Sequence, residues 1–116
     1  MKLTQEQRHE IHNKYNGKCA YCGCNLNFLA MQVDHIKPLM RQMNTSSLKG
    51  TDTIDNMNPS CRSCNYHKST YNIEEFRNQI KLKIDRVRNS NIKLLERYGL
   101  CDLHSENDVV FHYEKI

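Results

Sequence analysis

Two Cys-x-x-Cys pairs, Cys19–Cys22 and Cys61–Cys64, constrain the fold of this chain more than any other sequence feature. Each pair forms a short turn that presents two sulfur atoms to one point, and two such turns supply the four thiolates of a tetrahedral zinc site. A site with four protein ligands is structural, because no open position is left for a substrate. The spacing therefore predicts a structural Zn²⁺ ion that joins two distant segments of the chain.

Other roles for the cysteines are less well supported. One pair alone would leave a redox-active dithiol open, whereas two pairs in a short chain favour a metal. Cys24 offers a competing register, Cys22-x-Cys24, although that spacing is less usual. Cys101 is expected in the core. A structural metal also suits the composition, since hydrophobic residues make up 38% of the 116 and a small domain with few of them needs added stability.

The chain carries a net charge of +4, from 17 Lys and Arg against 13 Asp and Glu, with the basic surplus concentrated in residues 62–97. A surplus of this size gives only modest support for a polyanionic partner. The N-terminal residues lack the apolar segment of a signal peptide, and no stretch approaches the ~20 apolar residues of a membrane span. We therefore expect a cytoplasmic protein with reduced cysteines and no membrane association.

Local patterns predict a helix at each end of the chain. Thr4 followed by Gln7 resembles a capping box that opens a short helix over about residues 4–15. Apolar residues recur at helical spacing over 73–98, which predicts a long amphipathic helix. Between these helices the sequence predicts a turn at 16–17, a strand or hairpin arm at 28–36 and a surface loop at 40–53. A further helix is predicted to begin at or soon after Cys61–Cys64. In the C-terminal part we expect a break at 89–91, a C-cap at Gly99 and a terminal strand at 108–116.

Four polar residues of types that act in catalysis or bind metals lie between or next to the cysteine pairs: Asp34, His35, Asn56 and Asn65. In this setting, VDHIKPL at 33–39 and DNMNPSCRSCNYHK at 55–68 resemble the HNH nuclease family. The third motif position holds Asn65 rather than His, as in the HNN variant of that family. The resemblance covers about residues 15–72.

The resemblance implies an α+β fold with a small ββα-metal core held by the four-cysteine zinc site. Around that core we expect the N-terminal helix, the long C-terminal helix and the short terminal strand. One nuclease domain would then span 1–116, with its core at about 15–72 and a helical extension at about 73–116. The resemblance also implies a phage or bacterial protein in the host cytoplasm, DNA as the substrate, and a hydrogen bond from Asn56 that fixes the tautomer of His35.

The same residues make chemical sense for phosphodiester hydrolysis, which needs an activated water and a Lewis acid on the phosphate. A neutral imidazole with a pKa near ~6.5 can take a proton from water, so His35 is the candidate general base. The oxygen atoms of Asp34 and Asn65 suit a hard cation, which predicts one Mg²⁺ or Mn²⁺ distinct from the zinc. Adjacent side chains of a strand point to opposite faces, so Asp34 and His35 would not share one metal.

Several basic residues flank the motif in sequence and are candidates for phosphate contacts with DNA: Lys37, Arg41, Arg62 and Lys68. His67 is open between a metal ligand, a phosphate contact and a surface residue. His9 and His12, three residues apart on the first predicted helix, could also bind a metal but are expected on a solvated face.

Three further questions are open from the sequence alone. The alternative function is a non-catalytic, zinc-stabilised module that binds DNA or protein, for instance as a partner of a phage packaging enzyme. The active form could be a homodimer, and the cleavage could be nicking or double-stranded. RNA is open as a substrate, although the tyrosines do not form an aligned stacking surface.

Overall fold

The computed structural model of the protein describes residues 2–39 and 50–116. The α-helices and strands are α1 (Gln5–Asn13), β1 (Gln32–His35), β2 (Met57–Ser60), α2 (Arg62–Lys68), α3 (Ile73–Val87) and α4 (Ser90–Arg97), with 3-10 turns at Ile54–Asn56 and His112–Glu114. Within the described ranges this is a small α+β domain with one two-stranded antiparallel sheet and four α-helices. Most of the loop predicted at 40–53 lies outside the described residues.

Helix α1 begins as its sequence predicts. The hydroxyl of Thr4 accepts from the backbone N–H of Gln7 at 3.1 Å, and the side chain of Gln7 accepts from the backbone N–H of Thr4 at 2.9 Å, so the capping box is complete. Asn16 and Gly17 follow the helix with φ values of 56° and 74°. This left-handed turn directs the chain into the first cysteine pair, and the predicted turn is therefore confirmed.

The sheet pairs β1 with β2, so that Asp34 lies opposite Asn58 and His35 opposite Met57. Strand β1 is shorter than the predicted 28–36, because residues 28–30 form a turn before it. Every residue of β2 is buried. Helix α1 packs against β2, and helix α2 packs against β1. The succession β1, β2, α2 is the ββα order that the resemblance implies.

The C-terminal helical region is two helices rather than one long helix. Asn89 starts α4 because its side-chain oxygen accepts from the backbone N–H of Ile92 at 3.1 Å. The break predicted at 89–91 is therefore the N-cap of a second helix, α4. Gly99, with a φ of 71°, follows the end of α4 as predicted. No helix among residues 2–39 and 50–116 is both long enough and apolar enough to cross a lipid bilayer.

The prediction of a terminal strand at 108–116 is wrong. The backbone N–H groups of His112 and Tyr113 donate to the carbonyls of Tyr21 and Ala20 at 3.0 and 2.8 Å, and the chain then closes into a 3-10 turn. In place of strand pairing, Phe111 is buried and Val109 and Tyr113 pack on the aromatic cluster, whereas Val110 is 49% exposed. The local pattern does not distinguish these two outcomes.

Phe111 anchors this terminal segment. Its ring is 2% exposed, stacks on Phe76 with centroids 5.1 Å apart and meets the edge of Tyr21 at 5.4 Å. The guanidinium of Arg77 lies over the other side at 4.9 Å from the ring centroid and forms an ion pair with Glu114 at 2.6 Å. This ion pair lowers the pKa of Glu114, so the segment is held by both aromatic packing and charge.

We expect Phe111→Ala to lower the free energy of unfolding by about 3–5 kcal/mol, because a buried aromatic ring is removed and a cavity is left. The neighbouring Val110 is 49% exposed, and Val110→Ala should change the free energy by less than about 1 kcal/mol. Urea unfolding of the two zinc-loaded variants measures the difference. Equal effects would contradict the anchoring role of the Phe111 ring.

Candidate functional site

Five of the six cysteines meet in one place. The Sγ atoms of Cys19, Cys22, Cys24 and Cys61 all lie within 4.8 Å of one another. The sulfur atoms of Cys22 and Cys61 are 3.9 Å apart, close to the edge of about 3.8 Å of a tetrahedron with zinc–sulfur bonds of about 2.3 Å. Cys64 adjoins the group, because its backbone N–H donates to the sulfur of Cys61 at 3.4 Å. These donors suit a structural zinc ion.

Backbone geometry brings the first three thiols together. The N–H of Cys19 donates to the carbonyl of Cys24 at 2.8 Å, and the N–H of Gly23 donates to the carbonyl of Cys19 at 3.0 Å. Gly23 has a φ of 78°, and a Cβ atom there would lie 3.1 Å from the ring of His112. Glycine is therefore required both by the left-handed turn and by the close approach of the C-terminal segment.

The second pair is built into a helix end. Cys61 is the N-cap of α2, and its sulfur accepts from the backbone N–H of Cys64 at 3.4 Å. The N–H of Cys61 in turn donates to the sulfur of Cys19 at 3.4 Å. Hydrogen bonding from the Cys64 thiol, with help from backbone N–H groups, outweighs burial and lowers the pKa of Cys19 to about 4. The lowered pKa favours the thiolate of Cys19, the form that binds zinc.

The structure therefore groups three of the predicted ligands, Cys19, Cys22 and Cys61, in the same cluster as Cys24. Cys64 lies beside this cluster, next to Cys19. The fifth thiol was visible in the sequence as the competing Cys22-x-Cys24 register. Cys101 is half-buried and outside the cluster.

Asp34 lies in a buried, charged environment on β1. Its side chain is 5% exposed, and its Oδ2 accepts from the Tyr21 hydroxyl at 2.5 Å and pairs with the Lys68 ammonium at 3.0 Å. Burial raises the pKa of Asp34, while the Lys68 charge and the hydrogen bond from Tyr21 act in the opposite direction. Burial, followed by the negative charge of Asp34, raises the pKa of Tyr21, so the phenol remains a hydrogen-bond donor.

The prediction that Lys68 contacts DNA phosphate is wrong. Its side chain is fully buried, and its Nζ bonds both the carboxylate of Asp34 and the backbone carbonyl of His35, the latter at 2.8 Å. Lys68 is in the last turn of α2, so it joins this helix to strand β1. A charge buried in this way requires a partner, and Asp34 provides it.

His35, at the end of β1, has a different environment from its neighbour Asp34. Its side chain is 26% exposed, and its Nε2 lies 2.9 Å from the Oδ1 of Asp52. When Nε2 carries the proton of this hydrogen bond, Nδ1 is the basic nitrogen of the ring. The expected alternation of the two side chains along the strand is therefore observed.

The predicted hydrogen bond from Asn56 to His35 is wrong. The Asn56 carboxamide donates to the carbonyls of Lys37 and Thr51 at 2.9 and 2.8 Å and accepts from the N–H of Lys37 at 2.9 Å. It thereby ties the segment after His35 to the segment ahead of β2. Gly50 fits closely against this junction, since a Cβ atom there would lie 1.8 Å from the Lys37 carbonyl oxygen.

Asn65 lies half-buried in α2. Because α2 packs on β1, the helix that carries Asn65 adjoins the strand that carries Asp34. A carboxylate and a carboxamide are oxygen donors that fit a hard divalent cation such as Mg²⁺ or Mn²⁺.

The other basic and histidine residues considered in the sequence analysis lie in different environments. Lys37 and Arg62 are exposed, while Arg41 lies outside the described residues. His67 is exposed beside the ring of Tyr66, with centroids 5.3 Å apart. On α1, His9 stacks on Phe28 at 4.0 Å, and a ring nitrogen of His12 lies 2.9 Å from the Leu26 carbonyl.

Sequence reasoning missed Asp52 and the role of Tyr21. Asp52 belongs to a polar loop without any motif of its own, and only the fold brings it to the imidazole. Tyr21 sits inside the first cysteine pair, where its position predicts nothing about Asp34. Both contacts join segments that are distant in sequence, and the sequence carries no local signal for them.

The ββα unit, with its thiol cluster and its buried Asp beside a half-exposed His, defines the class as a ββα-metal fold. Residues 19–70 match the HNH endonuclease family, so this segment of the chain is similar to that family. The fold is also similar to that in the crystal structure of the Type II-C Cas9 enzyme from Actinomyces naeslundii, with a TM-score of 0.52 and 17% sequence identity. That match covers 84% of this chain but 11% of the other one. No curated protein matches the sequence.

We expect Lys68→Met to lower the free energy of unfolding by about 3–5 kcal/mol, because the carboxylate of Asp34 would be left buried without its cation. Denaturant unfolding of zinc-loaded protein without added Mg²⁺ measures the change. The matched control is Arg62→Met, which removes an exposed charge from the same helix and should cost less than about 0.5 kcal/mol.

The double variant Lys68→Met/Asp34→Asn separates pairing from packing. If the two residues form a true ion pair, the double variant should be more stable than the sum of the single effects predicts, by about 0.5–3 kcal/mol. Additive effects would mean that the two charges are not coupled.

Proposed function

We propose that this protein is a metal-dependent endonuclease that hydrolyses phosphodiester bonds of DNA. The match of residues 19–70 to the HNH endonuclease family supports the class of reaction. The observation that carries the proposal is the position of His35, half-exposed at the end of β1, bonded to Asp52 and adjacent to the buried Asp34.

His35 acts as the general base. The carboxylate of Asp52 accepts from Nε2–H, which orients the ring and leaves Nδ1 to take a proton from the attacking water. As the imidazole becomes an imidazolium, the negative charge 2.9 Å from Nε2 stabilises it. Asp52 is therefore a positioning residue, and Asn56 maintains the backbone around the base.

Asp34 and Asn65 would hold the divalent metal, which supplies a Lewis acid for the scissile phosphate and the departing oxygen. Both bonds recorded for the Asp34 carboxylate, from Tyr21 and Lys68, go to Oδ2. We assign Oδ1 as the metal-binding oxygen. Tyr21 and Lys68 would then fix the orientation of the carboxylate, as hydrogen-bonded partners of metal ligands commonly do.

Exposed basic residues beside the site, Lys37 and Arg62, are the proposed phosphate contacts. Such contacts position DNA without reading its sequence. They also make the affinity depend on salt, because each neutralised phosphate releases counterions.

We expect His35→Ala to slow cleavage of supercoiled plasmid by at least about 10²-fold, since the general base is removed. The variant should keep its fold and its zinc, because His35 is not part of the thiol cluster. Wild-type protein should act with Mg²⁺ or Mn²⁺ and stop with EDTA. The control is His104→Ala, which removes an exposed histidine from the C-terminal segment.

The products and the negative outcomes are informative in that assay. Open circles alone would indicate nicking, and early linear product would indicate coupled cutting of both strands. An active His35→Ala protein would assign the base elsewhere. A folded, zinc-loaded wild type that leaves plasmid and single strands intact would favour the non-catalytic binding module.

We expect Asp52→Asn to slow metal-dependent cleavage by about 10- to 100-fold, because an amide orients the imidazole less well and does not stabilise its charged form. The KM for DNA should change little, since Asp52 does not contact the substrate in this mechanism. Asp55→Asn is the matched control, an exposed carboxylate three residues away. If Asp52→Asn changed only the melting temperature and not kcat, the positioning role would be refuted.

A further inference from the structure

The thiol cluster contains one cysteine more than a tetrahedral zinc ion can bind. Cys19, Cys22 and Cys61 are common to the predicted ligand set and to the group of sulfur atoms that lie within 4.8 Å of one another. The fourth member of the predicted set is Cys64, whereas the fourth member of the observed group is Cys24. Two different thiols therefore compete for one coordination position.

The two competing thiols adjoin different parts of the shared triangle. The sulfur of Cys24 lies within 4.8 Å of all three sulfur atoms of the triangle. Cys64 adjoins the triangle at Cys61, because its backbone N–H donates to the sulfur of Cys61 at 3.4 Å. Both therefore adjoin a group of three sulfur atoms that lie within 4.8 Å of one another, of which those of Cys22 and Cys61 are 3.9 Å apart.

Backbone structure holds both candidates in place without metal. Cys24 follows the left-handed Gly23, and its carbonyl accepts from Cys19 in the first turn. Cys64 lies in the first turn of α2, where its N–H donates to Cys61. Cys24 is exposed while Cys64 is half-buried, so the two differ in access to solvent.

We propose that Cys24 and Cys64 are interchangeable fourth ligands of one zinc ion whose other three ligands are Cys19, Cys22 and Cys61. Exchange breaks one zinc–sulfur bond and forms another, and the proton of the entering thiol passes to the departing thiolate. The charge of the site and its number of thiolates stay the same. This inference concerns the structural site and is independent of the proposed nuclease reaction.

The test uses full-length protein in which Co²⁺ replaces Zn²⁺, since the sulfur-to-cobalt charge-transfer bands and the visible bands distinguish four thiolate ligands from three. The variants are Cys24→Ser, Cys64→Ser and the double variant, with Cys101→Ser as a control outside the cluster. Cys19→Ser serves as the reference for loss of a shared ligand. Bound zinc per chain is measured on the same variants, so the readout does not depend on cleavage activity.

We expect each of the two single variants to keep one metal ion and the four-thiolate spectrum, because the other cysteine takes the open position. The double variant should show a three-thiolate spectrum and lose zinc to a chelator faster than either single variant. A three-thiolate spectrum or loss of zinc in Cys64→Ser alone would overturn the proposal in favour of the two Cys-x-x-Cys pairs. The same loss in Cys24→Ser alone would also overturn it, since Cys64 would then be unable to substitute.

The decision rests on the single variants, each of which retains four thiols. Cys64→Ala is made in parallel with Cys64→Ser, so that a poor fit of the serine hydroxyl in α2 is not mistaken for a missing ligand. If both substitutions at Cys64 abolish the four-thiolate spectrum, Cys24 does not act as a ligand.

Discussion

The ammonium group of Lys68 is buried completely, and much of the site is arranged around it. An ionised group inside a protein is expensive unless a counter-charge and hydrogen bonds compensate it. Asp34 supplies the charge and the backbone carbonyl of His35 supplies a further acceptor. Tyr21 completes the arrangement from the first cysteine turn. Three segments are thereby joined at one carboxylate, which lies beside the residue assigned as the general base.

Two other contacts explain why so thin a core can support this arrangement. The thiol cluster joins the turn at 19–24 to the start of α2, and the aromatic contacts of Phe111 hold the C-terminal segment against α3. Neither depends on a large apolar interior. A metal and stacked rings instead give many contacts from few residues, which suits a chain in which 38% of residues are hydrophobic.

The features that could be predicted from the sequence are those set by nearby residues. The capping box at Thr4, the turn at 16–17 and the cysteine turns each depend on residues only a few positions apart. The interruption at Asn89 was predicted for the same reason, although its nature as an N-cap was not. The order of the ββα elements was implied by the family resemblance, which rests on motifs that are short and ordered along the chain.

The errors concern contacts between distant segments. The run of apolar residues within 108–116 is compatible with a strand or with docking on rings, and the choice depends on Tyr21. Lysine is rarely buried, so Lys68 was placed on the surface, and only the buried carboxylate of Asp34 makes its position tolerable. Asn56 was expected to bond the imidazole, but the backbone of Lys37 uses its carboxamide and leaves that position to Asp52.

The side chains of strand β1 point alternately to its two faces, which explains why the adjacent residues Asp34 and His35 have different chemical environments. Asp34 points inward, where Lys68 favours its ionised form despite burial and Tyr21 limits its rotation. His35 points to the other side, remains partly accessible and is bonded to Asp52. A buried carboxylate with restricted orientation suits metal binding, whereas an accessible imidazole suits proton transfer from water. The division of roles between the two residues therefore follows from the pleat of β1, and it would be lost if the strand shifted its register by one residue.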